Sequence, residues 1–420
     1  MNDKIIHRGP DAEGIYVDKD VALGQRRLSI IDLAGGNQPI YNKDKSVLII
    51  YNGEVYNYKE LKKELSEYEF QTESDTEVIL HGYEKWGHDL PKKLRGMFAY
   101  AIYDKNKNEI FISRDHFGIK PLYYYQNDDV ILFGSEIKSF LVHPKFVKEL
   151  NKKLLGPYLT FSFTPTDETF FKNVYRLPGG HSMTIDVKNK KINIERYYKV
   201  EFGTTNESFD TMVDEISRVM DESVKHHLIS DVEVGSFLSS GVDSSYLVSL
   251  AKPDKTYTIG FDLAKYSEID YAKDLTDKLD IKNISEKISK EEYMKAIADV
   301  YYHMDEPTAD GCAIAVYFLS RLASKDVKVV LSGEGADEFF GGYNSYDDNF
   351  YTKLPLFIRK ALASICSILP KNKITRYIIR RGKSLEESYV SINRTYYDDE
   401  LSDVLNSNDY INNKDIVKDV

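Results

Sequence analysis

The rhythm of apolar and polar positions changes near residue 200. Before it come short apolar, β-branched and aromatic runs with turn residues between them: VLIIYNGEVYN (47–57), GMFAYAIYD (96–104), EIFISRD (109–115), PLYYY (121–125) and ILFGSE (131–136). Such runs predict strands. Two helices interrupt them. One runs from Tyr58 to about Glu67. The other starts at Ser74, where Glu77 three residues later fits a capping box, and continues to about Trp86. Strands with a few helices predict an α+β domain over residues 1–200. Over 208–227 the residues Phe209, Met212, Val213, Ile216, Val219, Met220 and Val224 recur at helical spacing. From there strand and helix alternate. EVGSFLS (233–239), KTYTIGF (255–261), KNISEKI (282–288) and DVKVVLSG (326–333) read as strands, with helices from Ser244 and over 268–279, 290–302 and 313–324. This alternation predicts an α/β domain over 208–420, a parallel sheet with helices on its faces. The boundary falls within 195–208, in the polar, turn-like FGTTNES. Residues 344–420 are rich in Tyr, Asn, Lys and Asp, and helix is the only regular structure expected there.

Composition narrows the class. A chain of 420 residues suits two or three domains. With 42% hydrophobic and 29% charged residues it builds packed cores and is not disordered throughout. The net charge of −11 argues against a nucleic-acid or anionic-membrane partner. No run of 18 apolar residues predicts a membrane span, and no basic-then-apolar leader opens the chain. The two cysteines, Cys312 and Cys366, are far apart and fit a reduced cytoplasm better than a disulfide framework.

Candidate chemistry gathers at two strand ends in the second half. In FLSSGVDSS (237–245) an apolar strand ends, small residues turn, and a helix begins. Ligands bind at such places in doubly wound sheets, where backbone N–H groups and a helix N-terminus meet phosphate. Ser239, Ser240, Ser244 and Ser245 add hydroxyls. The lysine of a Walker A loop is absent. Asp243 puts a carboxylate in an anion site, which makes sense if a divalent cation bridges it to phosphate. A plain Ser-rich helix cap is the competing reading. VVLSGEGADEFFGGY (329–343) repeats the strand-to-turn pattern. Ser332 and Gly333 can present backbone to phosphate, Asp337 can be a second metal ligand beside Asp243, and Glu334 can do acid–base or orienting work. The alternative is a solvated acidic helix start. Ile259-Gly260-Phe261 is either an apolar wall for an adenine ring or core packing. In DEPTAD (305–310), Asp305 and Glu306 either contact metal or substrate or cap a helix.

In the first half, QRRLSIIDL (25–33), YNGEVYN (51–57) and TESDTEVI (72–79) carry polar residues beside β-rich stretches. Arg27 can pair with a ligand carboxylate in fork geometry. Asn52, Glu54 and Asp75 can hold an amide and an α-amino group. Glutamine is the ligand that suits this set, although each residue alone reads equally well as a turn or cap.

Taken in order, FLSSGVDSS, YTIGF, DEPTAD and LSGEGADEFFGGY resemble the synthetase domain of the glutamine-dependent asparagine synthetases, of the ATP-pyrophosphatase group. HRGPD, RRLSIID, NGEVYN, SDTEVI, RGMFAYAIYD, SRDHFGIKPLYY and LPGGH follow the order of that family's glutaminase domain. The resemblance covers essentially the whole chain. It implies an N-terminal-nucleophile hydrolase-like αββα domain over 1–200, followed by an ATP-pyrophosphatase domain over 208–420. It also implies adenylation of the aspartate β-carboxylate by ATP, release of pyrophosphate, and displacement of AMP by ammonia drawn from glutamine. On this resemblance Ser239, Ser240, Gly241, Asp243, Ser244 and Ser245 hold pyrophosphate, and Phe237 and Ile259 line the nucleotide site. Ser332 and Gly333 contact ATP, Asp243 and Asp337 hold Mg²⁺, and Glu334 acts on the ammonia attack. Arg27, Ile30, Asn52, Gly53, Glu54 and Asp75 bind glutamine. The implied partners are aspartate, glutamine or ammonia, and ATP, with a homodimer as an assembly it admits. Ser240 stands where the family's SGGxDSS has its first glycine. The family's cysteine nucleophile precedes HRGPD, and no cysteine does so here. The resemblance therefore implies a chain shortened at both ends, with no glutamine hydrolysis of its own. A different amide- or lactam-forming ligase on this scaffold, and a non-catalytic glutamine- or nucleotide-binding protein, are the alternatives.

Overall fold

The computed structural model describes residues 1–262, 267–308, 311–343, 353–370, 372–382, 395–396, 398–405, 410–411 and 416. Ala309 and Asp310 of DEPTAD, and much of 344–420, lie outside the described residues. The chain forms two compact units. One comprises Met1–Val147, Asn173–Asp305 and Cys312–Gly333; the other comprises Lys148–Lys172, Glu306–Gly311 and Glu334–Val420.

The first half begins with a hairpin of β1 (Ala12–Val17) and β2 (Ala22–Arg27), then β3 (Ile40–Tyr41), β4 (Val47–Val55), α1 (Tyr58–Glu64) and α2 (Asp75–Trp86). There follow β5 (Gly96–Asp104), β6 (Glu109–Arg114), β7 (Tyr123–Gln126) and β8 (Ile131–Gly134). After α3 (Leu155–Phe161), which belongs to the second unit, come β9 (Val174–Arg176), β10 (His181–Asp186) and β11 (Lys191–Arg196). An antiparallel six-stranded sheet runs β11-β10-β6-β5-β4-β3, and a three-stranded one runs β8-β7-β9. β5 is apolar on both faces and sits inside the large sheet. Its Phe98, Tyr100 and Ile102 pack with Leu61 of α1 and Ile79 of α2, while Ala99, Ala101 and Tyr103 pack with Leu23 and Leu122. One face therefore carries helices and the other carries the small sheets. The 3₁₀ segments Asn2–Arg8 and Ile137–Val142 touch each other and lie against β2 and β8. At α2, Ser74 caps as expected, accepting from the Thr76 N–H. The capping box does not form: the Glu77 carboxylate instead accepts from the N–H groups of Gln71 at 2.8 Å and Thr72 at 2.7 Å.

The second half runs α4 (Phe209–His227), β12 (Val234–Phe237), α5 (Val242–Ala251), β13 (Lys255–Phe261), α6 (Ile269–Leu279), β14 (Lys282–Ile288), α7 (Lys290–Met304), α8 (Cys312–Ala323) and β15 (Val329–Leu331). Its sheet is parallel, in the order β14-β13-β12-β15. Val248 of α5 and Ala272 of α6 pack on one face beside Leu238, and Ala296 of α7 and Phe318 of α8 on the other beside Ile259. Strand order reverses direction between β12 and β15, which makes the gap at their carboxyl ends the switch point where α/β sheets bind ligands. In the second unit, α9 (Ala336–Phe340), α10 (Leu356–Cys366), α11 (Lys373–Arg381) and α12 (Asp398–Val404) are short; α10 pairs with α11, and α3 with α12.

His81 of α2 is buried. Its Nδ1 lies 2.7 Å from Glu84 and its Nε2 3.5 Å from Glu77, with the Tyr68 ring stacked at 4.8 Å. Burial opposes its charge, but the bonds to Glu77 and Glu84 outweigh that and raise the imidazole to about 9. A folded pKa above the unfolded one adds stability that is complete below about pH 6.5 and is lost as pH rises through about 9. We expect His81→Gln to cost up to about 3 kcal/mol at pH 6 and much less at pH 10, read as the difference in urea midpoints between parent and variant.

Candidate active site

β12 and β15 end side by side, paired from Val234↔Val329 to Ser236↔Leu331. Beyond β12 the loop is held by its own hydroxyls. Ser239 Oγ accepts from the Gly241 N–H at 3.1 Å and bonds Ser244 Oγ at 2.8 Å, and Ser244 Oγ accepts from the Ser239 N–H at 3.2 Å. Ser245 Oγ donates to the Gly241 carbonyl at 2.7 Å. No side chain caps α5 at Gly241, so the partial positive charge of its first turn is offered to a ligand. Beyond β15, Gly333 lies so close to that turn that a Cβ there would sit 3.1 Å from the Ser244 nitrogen. Glycine lets the Ser332-Gly333 backbone and the α5 N-terminus share one crevice. Asp243 is exposed in the first turn of α5 and makes no ion pair among the described residues. Ser240 Oγ donates to Glu268 at 2.8 Å, a partner that no local pattern had marked.

The remaining residues expected at this site divide. Glu334 and Asp337 belong to the second unit. There Glu334 is exposed, Asp337 lies in the first turn of α9, and the Gly342 backbone closes on the Asp337 carboxylate. Two residues expected to line the nucleotide site turn their side chains to the core. Ile259 is buried against α7 and α8, and Phe237 packs with Tyr257, Leu322 and Val327. Their side chains face the core because each lies on a strand with helices on both sides.

In the first half, alternation along β4 decides which residues gather. Leu48 and Ile50 face the small sheets, and Asn52 and Glu54 continue that face. Gly53 lets β4 close on β5, since a Cβ would sit 2.2 Å from the Met97 carbonyl oxygen. Asn52 Nδ2 and Glu54 Oε2 are buried without hydrogen-bond partners among the described residues. Such orphaned atoms are costly, and a ligand would satisfy them. Asp75 lies behind, accepting from Tyr51 Oη and the Val55 N–H at 2.9 Å each. Burial, then repulsion from Asp75, pushes Glu54 up to about 8, against the pull of Lys120 and Arg27. Burial also raises Asp75, against the hydrogen bonds it accepts from the Val55 N–H and Tyr51 Oη.

Arg27 departs from expectation. Its fork is filled by backbone: Nη2 donates to the Ile31 and Asp32 carbonyls at 2.9 and 2.7 Å, and Nη1 to Asn37 Oδ1 at 3.1 Å and the Leu33 carbonyl at 3.4 Å. It organises a loop and contributes charge rather than offering a free fork. Ile30, on the same loop, is half-buried against the core under α1 and α2.

The acidic DEPTAD loop is also reassigned. Asp305 is half-buried with its side chain turned inward; it pairs with Lys138 at 2.9 Å and accepts from the Ile137 N–H at 2.6 Å, capping the 3₁₀ segment. Lys138 also donates to Glu136, which receives Arg8 at 3.1 Å and bonds His7 at 3.0 Å. His303 brings a third potential metal ligand within 4.8 Å of His7 and Glu136. Two fixed cations already neutralise Glu136, so we read this cluster as a charge clasp between the halves. Glu306, in the second unit, accepts from the Phe170 N–H at 2.9 Å.

The family model "Glutamine amidotransferase domain" matches residues 1–198, and "Asparagine synthase" matches 215–411. Among curated relatives, the chain is 42% identical over 401 residues to asparagine synthetase [glutamine-hydrolyzing] 1 of Bacillus subtilis, covering 93% of this chain and 63% of that protein. It is 37% identical over 396 residues to a putative asparagine synthetase [glutamine-hydrolyzing] 2 of Methanocaldococcus jannaschii, covering 86% and 75%. To asparagine synthetase B of Escherichia coli it is 32% identical over 360 residues, covering 80% and 59%. The chain thus spans between 59% and 75% of the length of these relatives. No helix among the described residues is long and apolar enough to cross a membrane.

Lys138→Met would leave Asp305 without a cation while Glu136 keeps Arg8 and His7, and we expect it to destabilise the chain by about 3 kcal/mol in urea unfolding. Asp305→Asn, which leaves Lys138 paired with Glu136, should cost only about 1 kcal/mol.

Proposed function

The chain belongs to the family of glutamine-hydrolysing asparagine synthetases, and we propose that it carries an ATP-dependent amide-forming site over 208–420 and a glutamine pocket over 1–200. The observation that carries the first is the switch-point crevice, where Gly333 is drawn against the uncapped N-terminus of α5. Backbone N–H groups and helix charge there suit the pyrophosphate portion of ATP, with Ser239, Ser240, Gly241, Ser244, Ser245, Ser332 and Gly333 around it. The absence of a Walker lysine agrees with cleavage at the α-phosphorus. In this reading the aspartate β-carboxylate attacks that phosphorus, the P–O bond to pyrophosphate breaks, and β-aspartyl-AMP forms. Ammonia then attacks the acyl carbon, AMP leaves, and a proton departs from nitrogen. Glu334, an exposed carboxylate, takes that proton or stabilises the cationic nitrogen. The exposed Asp243 carboxylate, a hard oxygen donor without an ion pair among the described residues, fits Mg²⁺, and Asp337 would complete the pair. When bound, Mg²⁺ neutralises phosphate charge.

The glutamine reading rests on the orphaned Asn52 Nδ2 and Glu54 Oε2 on one face of β4. Asn52 donates to a ligand oxygen, and Glu54 with Asp75 receives the α-ammonium. Arg27 adds positive charge for the α-carboxylate. Both cysteines, Cys312 and Cys366, lie in the second half, so the first half of these 420 residues supplies a pocket and no thiol for amide cleavage.

Two experiments test these readings. With ATP, Mg²⁺, aspartate and ammonia, the purified chain should release pyrophosphate and form asparagine. Glu334→Gln should lower asparagine formation at least about tenfold while pyrophosphate exchange persists, and glutamine offered in place of ammonia should yield no glutamate. Equal loss or retention of both activities in Glu334→Gln would remove its assigned role. For the pocket, Glu54 with a pKa of about 8 is mostly neutral at pH 7, and an arriving ammonium ionises it. Glutamine binding should then release close to one proton at pH 7, read by calorimetry in two buffers, and tighten from pH 6 to 8. Glu54→Gln should abolish both effects.

A further inference from the structure

We propose that Asp231 and Lys328 are positioning residues for the glutamine pocket, acting from the second half through the loop of residues 28–36. The inference rests on the glutamine reading of Arg27, Asn52 and Glu54. The loop needs outside support. Asp32 has φ of 51° in the left-handed region, which is unfavourable for a residue with a Cβ. The Ile31 carbonyl is turned inward to Arg27, and the Asp32 N–H of the same trans peptide therefore points away from that side chain. Asp231 takes that N–H on Oδ2 at 2.8 Å, and its own N–H donates to the Ile30 carbonyl at 3.1 Å. The two bonds bracket Ile31, the residue whose carbonyl also receives Arg27. Lys328 grips the loop one step earlier. Its Nζ lies 2.6 Å from Asp11 Oδ2, and the same oxygen accepts from the Ser29 N–H at 2.9 Å. Thus the backbone of Ser29, Ile30 and Asp32 is anchored, directly or through Asp11, by two residues of the second half.

Those two residues hold corresponding places. Asp231 precedes β12 and Lys328 immediately precedes β15, the neighbouring strands whose far ends carry Ser239–Gly241 and Ser332-Gly333. The strand pair at the ATP crevice therefore stands with its opposite end on the loop that sets Arg27. Neither residue touches the proposed ligand. Each acts by fixing where the Arg27 charge sits relative to Glu54 and Asp75.

The test is calorimetry of the full 420-residue chain with glutamine and, separately, with Mg²⁺ and ATP. Asp231→Ala and Lys328→Met should each weaken glutamine binding roughly tenfold, the scale of one hydrogen bond to a charged group. Mg-ATP affinity should stay within about twofold, which also reports that the fold is intact. Asp231→Asn, which keeps an acceptor, and Lys328→Arg, which keeps the cation, should recover most of the glutamine affinity. If the parent binds glutamine and the Ala and Met variants match it, or if they lose glutamine and Mg-ATP together, the positioning role is overturned. If the parent itself fails to bind glutamine, the pocket reading falls, and this inference with it.

Discussion

A buried guanidinium that has no carboxylate in hydrogen-bond contact among the described residues must find oxygen elsewhere, and Arg27 finds it in one loop. The carbonyls of Ile31, Asp32 and Leu33 converge on it, with Asn37 completing the set. That demand dictates the loop's path, including the left-handed turn at Asp32. It has two consequences. Positive charge stays close to Glu54 and Asp75, where with Lys120 it partly offsets the repulsion and desolvation that lift Glu54. And the polar groups of the loop that do not face Arg27 are left for the second half to satisfy.

The two halves are consequently joined by charged and hydrogen-bonding groups at several points. Asp305 reaches into the first half to cap the segment Ile137–Val142 and to neutralise Lys138, while Arg95 reaches out to Glu222. The buried contacts among these are specific in register, because a displaced carboxylate or ammonium at such a place is expensive. Together they explain why two topologically different layouts, one antiparallel and layered and one parallel and doubly wound, form parts of a single compact unit. They also place the parallel sheet with one end towards the loop of Arg27 and the other at the phosphate-type crevice.

What was legible in the sequence follows from where each signal lives. β4, β5 and β6 stand out because helices and small sheets bury both faces, so their apolar runs are nearly continuous. β1, β2 and β11 were not expected, since strands such as KINIER and ALGQRR carry charged or exposed positions. The parallel sheet was readable from alternation, and the glycines and serines at its strand ends from the turns they permit. The role of Ser74 was local and visible. The diversion of Glu77 to the backbone of Gln71 and Thr72 was not, because a capping box and a loop anchor have the same spelling. Long-range pairs left no local trace: Lys138 with Asp305, Lys328 with Asp11, and Asp231 with the Asp32 amide all span more than a hundred positions. The packing of the Phe237 and Ile259 side chains into the core was hidden for a related reason, since an apolar residue at a strand end can face either the crevice or the core.

The loop set by Arg27 is held by the sheet of the second half, and amide hydrogen exchange at Asp32 reads that support at a single bond. If Asp231 anchors that amide, it should exchange only as slowly as the amides of β12, with the same dependence on added urea, although it lies in a loop with exposed neighbours at Leu33 and Ala34. An Asp32 amide that exchanges as fast as those of Leu33 and Ala34, and without regard to the stability of β12, would contradict it.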